Sequence, residues 1–266
     1  TKIIVEHHTP GDVAAFGVES ADPKVIKANN LKAYPEEVIK AIEIINSIGV
    51  KRGYNGLPEL LPGINFVYGL IGETKETYEL NLEFMREVMR RGLLVRRVNI
   101  RQCIPLPGTR MWKVGTKIIQ RHKKIFKIYK DKMRKEIDLP MLRKVIPTWT
   151  ILKEVYLEEF DGTLTYGRQV GSYPILTCIP MKLKLKRFID VVVVDHGYRS
   201  ITALPHPIKI NMLNMKSLTR IPGIGMKRAA KIIHKRPIRN FEELSSIIKD
   251  DELLTKLRKV IDFSKR

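Results

Sequence analysis

The stretch Ile64-Asn-Phe-Val-Tyr-Gly-Leu-Ile-Gly-Glu-Thr-Lys-Glu-Thr-Tyr78 decides how this chain is read. Ile64 to Leu70 is an apolar run bounded by Pro62-Gly63 and by Gly72, the pattern of a buried strand. Glu73, Glu76 and Glu79 then load the next segment with acid, which favours the positive N-terminal end of a helix. Strand, glycine turn and amphipathic helix make one half of a parallel βα unit. In a barrel of such units, the strand ends and the loops after them carry the chemistry. Asn65 is polar inside this strand and needs a partner, either a core amide contact or a ligand.

Two further stretches lie outward from it, Phe16-Gly-Val-Glu-Ser20 upstream and Ile104-Pro-Leu-Pro-Gly-Thr109 downstream. With Gly69-Leu-Ile-Gly-Glu-Thr74 between them, they resemble the fourth to sixth strands of radical S-adenosylmethionine (radical SAM) enzymes, in order, over residues 10–137. The resemblance implies an α/β fold, the C-terminal part of a βα barrel over residues 1–144. It implies S-adenosylmethionine as cofactor, approached by Glu19, Ser20 and Asn65. Glu19 stands where such enzymes carry Gln or Glu, whereas Asn65 replaces a common Asp. An amide still donates and accepts at a hydroxyl, so the role could survive.

The family also implies a [4Fe-4S] cluster held on C-x3-C-x2-C. This chain has only Cys103 and Cys178, 75 positions apart, which is neither that spacing nor a disulfide framework. The cluster ligands are therefore expected upstream of Thr1, with no catalytic residue or metal ligand in this chain, which reads as the C-terminal part of a longer protein. Sparse cysteine suits a reducing cytoplasm. The edge of the first matched strand, lacking an upstream neighbour, is expected to self-associate or to be covered by the N-terminus.

Charge points to a partner. In 266 residues, 49 Lys and Arg face 28 Asp and Glu, a formal net charge of +21 with pI ≈ 10.0. An excess this large favours a polyanion, most often nucleic acid. The 44% apolar content is that of a soluble globular protein, and no apolar run is long enough to span a bilayer. Thr116 to Ile137 reads as a long helix with a basic face, either simply solvated or a phosphate track.

From Thr150 to Ile210, short strand-like runs are punctuated by Asp161-Gly162, Gly171-Ser172 and His196-Gly197, the pattern of a small β-barrel over residues 145–211. Glu154 to Leu157 with Gly167-Arg168 and Tyr173 faintly resembles the TRAM-type RNA-binding barrel. Lys182, Lys184, Lys186 and Arg187 alternate with apolar residues, while Tyr166, Tyr173 and Tyr198 are candidates for base stacking or for barrel packing.

Leu218 to Ala230 (LTRIPGIGMKRAA) matches the helix-hairpin-helix motif and defines a helical domain over residues 212–266. Asn214 caps the first helix, Pro222 stops it, and Gly223 and Gly225 shape the turn. The second helix starts with free N–H groups, which with Lys227 and Arg228 form a candidate phosphate site. Residues 212–266 hold 14 basic and 6 acidic side chains, in keeping with that role.

Together these readings describe part of a cytoplasmic radical enzyme acting on nucleic acid, RNA or tRNA before DNA. The alternatives are a non-catalytic nucleic-acid-binding protein, or a radical SAM enzyme acting on a protein or small molecule.

Overall fold

The computed structural model describes residues 1–264 and divides into two compact units. The first holds residues 1–53 and 58–145; the second holds residues 54–57 and the chain from residue 146 onward.

The first unit runs α1 (Lys2–His7), β1 (Asp12–Glu19), α2 (Pro23–Asn29), α3 (Pro35–Gly49), β2 (Leu60–Tyr68), α4 (Lys75–Arg90), β3 (Arg97–Gln102), α5 (Arg110–Val114) and α6 (Lys117–Lys132). A π-helical turn, Met133–Asp138, leads into α7 (Leu139–Val145). The helix starts follow local chemistry: Asp22 Oδ1 accepts from Lys24 N at 2.9 Å with Pro23 at the first helical position of α2. Glu37 reaches back to the Tyr34 N–H at 3.1 Å to open α3.

The three strands are parallel in the order β1-β2-β3, and this corrects the expected fold. No βα barrel forms over residues 1–144. Three strands cannot complete the circle that eight close in a (β/α)₈ barrel. The outer edges of β1 and β3 pair with no strand among the described residues. One face of this open sheet is covered: Ile64, Phe66 and Tyr68 are buried, with Phe66 edge-on to Phe84 of α4 and Tyr68 stacked on Tyr78. The opposite face, carrying Asn65 and Val67, is half-buried.

Closure occurs in the second unit. Strands β4 (Ile151–Asp161), β5 (Leu164–Gln169), β6 (Leu176–Ile179), β7 (Phe188–His196) and β8 (Ser200–Pro205) form a closed barrel in the order β4-β5-β6-β8-β7. All neighbours are antiparallel except β6 and β8. That order and that single parallel pair define a five-stranded Greek-key barrel of the OB type. Period-two alternation fills it, with Val155, Leu157, Ile179, Val191, Val193, Ile201 and Ala203 buried.

A short β9 (Ile208–Lys209) pairs in parallel with β10 (Ile261–Asp262), and between them lie α8 (Met215–Leu218), α9 (Met226–Lys235), α10 (Phe241–Ile248) and α11 (Asp251–Arg258). Val192, Val194 and Leu204 of the barrel share one core with Ile221, Ile224, Ile232, Leu244, Leu253 and Leu257. Barrel and helices are therefore one packed body. No helix among the described residues is long and apolar enough to cross a membrane.

Candidate functional site

Two places gather the residues singled out in the sequence, one in each unit. In the first unit, Gly17, Asn65 and Asn99 lie in register across β1, β2 and β3. Asn65 Oδ1 accepts from Asn99 Nδ2 at 2.7 Å, and Asn99 Oδ1 accepts from Arg97 Nε and Nη2 at 3.1 and 2.7 Å. A chain of amides and a guanidinium thus spans the half-open face. Glu19 has φ +60° at a bulge, and its carboxylate lies back over Gly17, where an added Cβ would come within 2.8 Å of Oε1. Burial raises its pKa above the usual carboxylate range, and the nearby Arg101 charge offsets this in part. Burial, followed by the Glu19 charge, pushes the Cys103 thiol up as well.

Ser20 is placed differently. It is 1% exposed, its Oγ accepts from Asp22 N at 3.1 Å, and it faces Asn81 Oδ1 at 3.4 Å. Asn81 also accepts from Ala21 N at 2.7 Å, while Thr77 Oγ1 donates to Asp22 at 2.6 Å. Ser20 is a member of the lattice that ties β1 to α4, with no open path to a ligand.

The Gly-Leu-Ile-Gly-Glu-Thr turn has a structural account of its own. Gly69 and Gly72 take φ +90° and +84°, conformations an L side chain rarely adopts. A Cβ on Gly69 would meet Ile119 of α6 at 2.4 Å. Buried Glu73 closes the turn by accepting from Gly69 N at 2.5 Å and Tyr78 Oη at 2.9 Å, and it meets His122 Nδ1 of α6 at 2.9 Å. The acid that favours the helix start in sequence is the residue that fastens α6 onto the sheet.

The second place is the turn between α8 and α9. Asn214 Oδ1 caps α8 by accepting from Ser217 N at 2.9 Å. Ile221 N donates to Leu218 O at 3.1 Å and Ile224 N to Ile221 O at 2.9 Å, while both isoleucines are 1% exposed and anchor the turn in the core. Gly223 takes φ +85°, and a Cβ there would stand 2.6 Å from Leu253 Cδ2. Gly225 is different: as N-cap of α9 it has φ −78° and ψ 177°, with nothing within 4 Å of an added Cβ. Its lack of a side chain leaves the front of the turn clear. No side chain caps α9, so the leading N–H groups of that helix begin at an exposed surface.

The two cations divide their work. Arg228 Nη1 donates to Gly223 O at 2.8 Å and reaches Asp250 Oδ2 at 3.4 Å, so it braces the turn. Lys227 is exposed and forms no ion pair among the described residues. Lys231, one helical turn on, is likewise exposed and joins Lys227 on the same face; the i, i+4 spacing in the sequence carries this signal. Of the tyrosines named as stacking candidates, Tyr166 is half-buried against Cys178, whereas Tyr173 and Tyr198 are exposed in loops.

No family model matches the sequence. The chain is similar to two archaeal proteins, both named only as uncharacterized. One, from Archaeoglobus fulgidus, is 45% identical over 246 residues, covering 92% of this chain and 46% of the relative. The other, from Methanocaldococcus jannaschii, is 53% identical over 203 residues, covering 76% of this chain and 37% of the relative. The chain spans less than half the length of these curated relatives.

Proposed function

We propose that this chain holds RNA by its phosphate backbone, with the α8–α9 turn as the grip, and that it does so within a longer cytoplasmic protein. The observation that carries the reading is the start of α9 behind Gly225, without a side-chain cap, open to solvent and flanked by Lys227 and Lys231, which form no ion pair among the described residues. Amide N–H groups at a helix start, together with lysines, suit a phosphate oxygen. The excess of 49 basic over 28 acidic residues supports a polyanionic partner.

For the whole protein we propose radical S-adenosylmethionine chemistry acting on that RNA, on the strength of the sequence resemblance. The residues present fit this cofactor in part. Glu19 and Asn65 border a half-open polar face suited to a small polar ligand, whereas Ser20 is used up in packing. Among the described residues no three His, Cys, Asp or Glu side chains converge as metal ligands, and Cys103 and Cys178 belong to different units. The cluster would have to be held by other residues of the longer protein.

The test is a salt titration of RNA binding. For single strands the slope of log affinity against log salt is about −0.7 per phosphate neutralised, and for a B-form DNA duplex about −0.9. A steep negative slope for a structured RNA that flattens in the Lys227→Ala/Lys231→Ala double variant supports the reading. Affinity independent of salt overturns it.

A further inference from the structure

We infer that the second unit carries a separate base-stacking site for single-stranded RNA, formed by Phe188 and Tyr156 on the outer surface of the barrel. This rests on the reading of that unit as RNA-holding, and adds which part of the RNA it takes and where.

Tyr156 of β4 lies opposite Phe188 of β7 on one side and Arg168 of β5 on the other. Its neighbours Val155 and Leu157 point into the barrel, so Tyr156 points out. The two rings meet at 5.1 Å between centroids with a 51° tilt. Phe188 nonetheless remains 54% exposed. Phe188 is thus open to solvent over a half-buried Tyr156, an apolar surface that a flat ring can cover.

Its surroundings identify the partner. The segment entering β7 carries Lys182, Lys184, Lys186 and Arg187, all exposed, with no acidic residue between Pro180 and Ile189. Lys182 Nζ lies 5.0 Å from the Phe160 ring centroid. Lys184, Lys186 and Arg187 form no ion pair among the described residues; of the acids flanking the ring pair, Glu158 is bonded to Arg168 and Asp190 accepts from the Glu154 N–H. An exposed ring beside a basic segment offers a π-face to a base and charge to its phosphate, the two terms that hold single strands. Stems are shielded from such stacking, whereas loops and tails of RNA present splayed bases.

The position differs from the face of the second and third strands that barrels of this class use. Here those strands are β5 and β6, and the chain itself is attached beside them: Ser217 Oγ donates to Pro180 O at 3.0 Å and Lys216 Nζ to Thr163 Oγ1 at 3.0 Å. Tyr166 on that face is engaged with Cys178. The free aromatic surface is one strand pair further round.

The test uses the whole chain with two probes, oligouridine and a blunt RNA duplex, by fluorescence anisotropy. Stacking is worth enough per base that Phe188→Ala with Tyr156→Ala should weaken oligouridine binding by roughly tenfold or more, leaving the duplex unchanged. Lys184→Ala with Arg187→Ala should weaken oligouridine binding and reduce its salt dependence. Unchanged oligouridine affinity in the aromatic variant overturns the inference. So does equal binding and equal loss with oligodeoxyuridine, which would remove the assignment to RNA. Should the aromatic variant lose both probes alike, photocrosslinking of 4-thiouridine RNA to the wild-type chain decides: adducts within residues 184–188 support the site, and adducts elsewhere overturn it. Failure of the earlier reading is distinguishable, because it appears as duplex affinity untouched by Lys227→Ala/Lys231→Ala.

Discussion

The two glycines of the α8–α9 turn look equivalent in sequence and are not equivalent in space, so replacing each with alanine separates their roles. At Gly223 the new Cβ inherits φ +85° and stands 2.6 Å from Leu253 Cδ2. The left-handed backbone costs a non-glycine residue about 1–2 kcal/mol. Pressing a methyl into a packed side chain adds about 1–3 kcal/mol. Gly223→Ala should therefore destabilise the second unit by about 2–5 kcal/mol. At Gly225 the backbone is extended and nothing lies within 4 Å of the new methyl. The remaining cost is that of alanine in place of glycine at an N-cap, about 0.5–1 kcal/mol. Gly225→Ala should keep the fold yet place a methyl in front of the α9 N–H groups, lowering RNA affinity. Urea unfolding followed by circular dichroism measures the first effect, with the two units fitted separately since they need not unfold together. Equal stability losses, or a Gly223→Ala protein within about 0.5 kcal/mol of wild type, would refute the assignment of roles.

Other outcomes follow from the same geometry. Arg228→Ala should loosen the turn by removing the donor to Gly223 O, whereas Lys227→Ala should leave stability unchanged and reduce RNA affinity; unfolding and binding curves measured side by side decide this. Glu73→Ala strands Gly69 N–H, Tyr78 Oη and His122 in a buried setting, which should cost the first unit about 3 kcal/mol, read from its urea midpoint. Glu19 contributes a pH dependence of defined sign. Its pKa is raised on folding, so the folded state holds the proton more tightly, and stability is lost as pH rises from the ordinary carboxylate value of 4.5 through the raised one. Glu19→Gln should abolish that decline in a pH series of unfolding midpoints; an unchanged decline would show that another group is responsible.

What could be read in the chain depended on how local each signal was. Asp22-Pro23, Asn214 and the strand period around Val155 and Leu157 are local, and helix starts and barrel strands appear where those residues put them. The fate of the parallel sheet was not local. Each βα unit has the same pattern whether its sheet closes or stays open, and closure depends on strands that must come from elsewhere. The Glu73 turn shows a second limit. Its sequence matches a motif with chemistry, yet every polar atom named there has a packing partner, and only coordinates reveal that Ser20 is buried while Glu19 is half-open. Tyr156 and Phe188 lie in separate strand-like runs, and their adjacency depends on pairing of β4 with β7, across a gap of more than thirty residues.

The most direct test of the RNA-holding account is to follow backbone amide resonances of the chain as a structured RNA is added. The account predicts that the largest shifts fall on Gly223, Gly225, Met226 and Lys227, where the uncapped helix start meets phosphate. RNA binding that leaves these amides unmoved, or no binding at low salt, would contradict it.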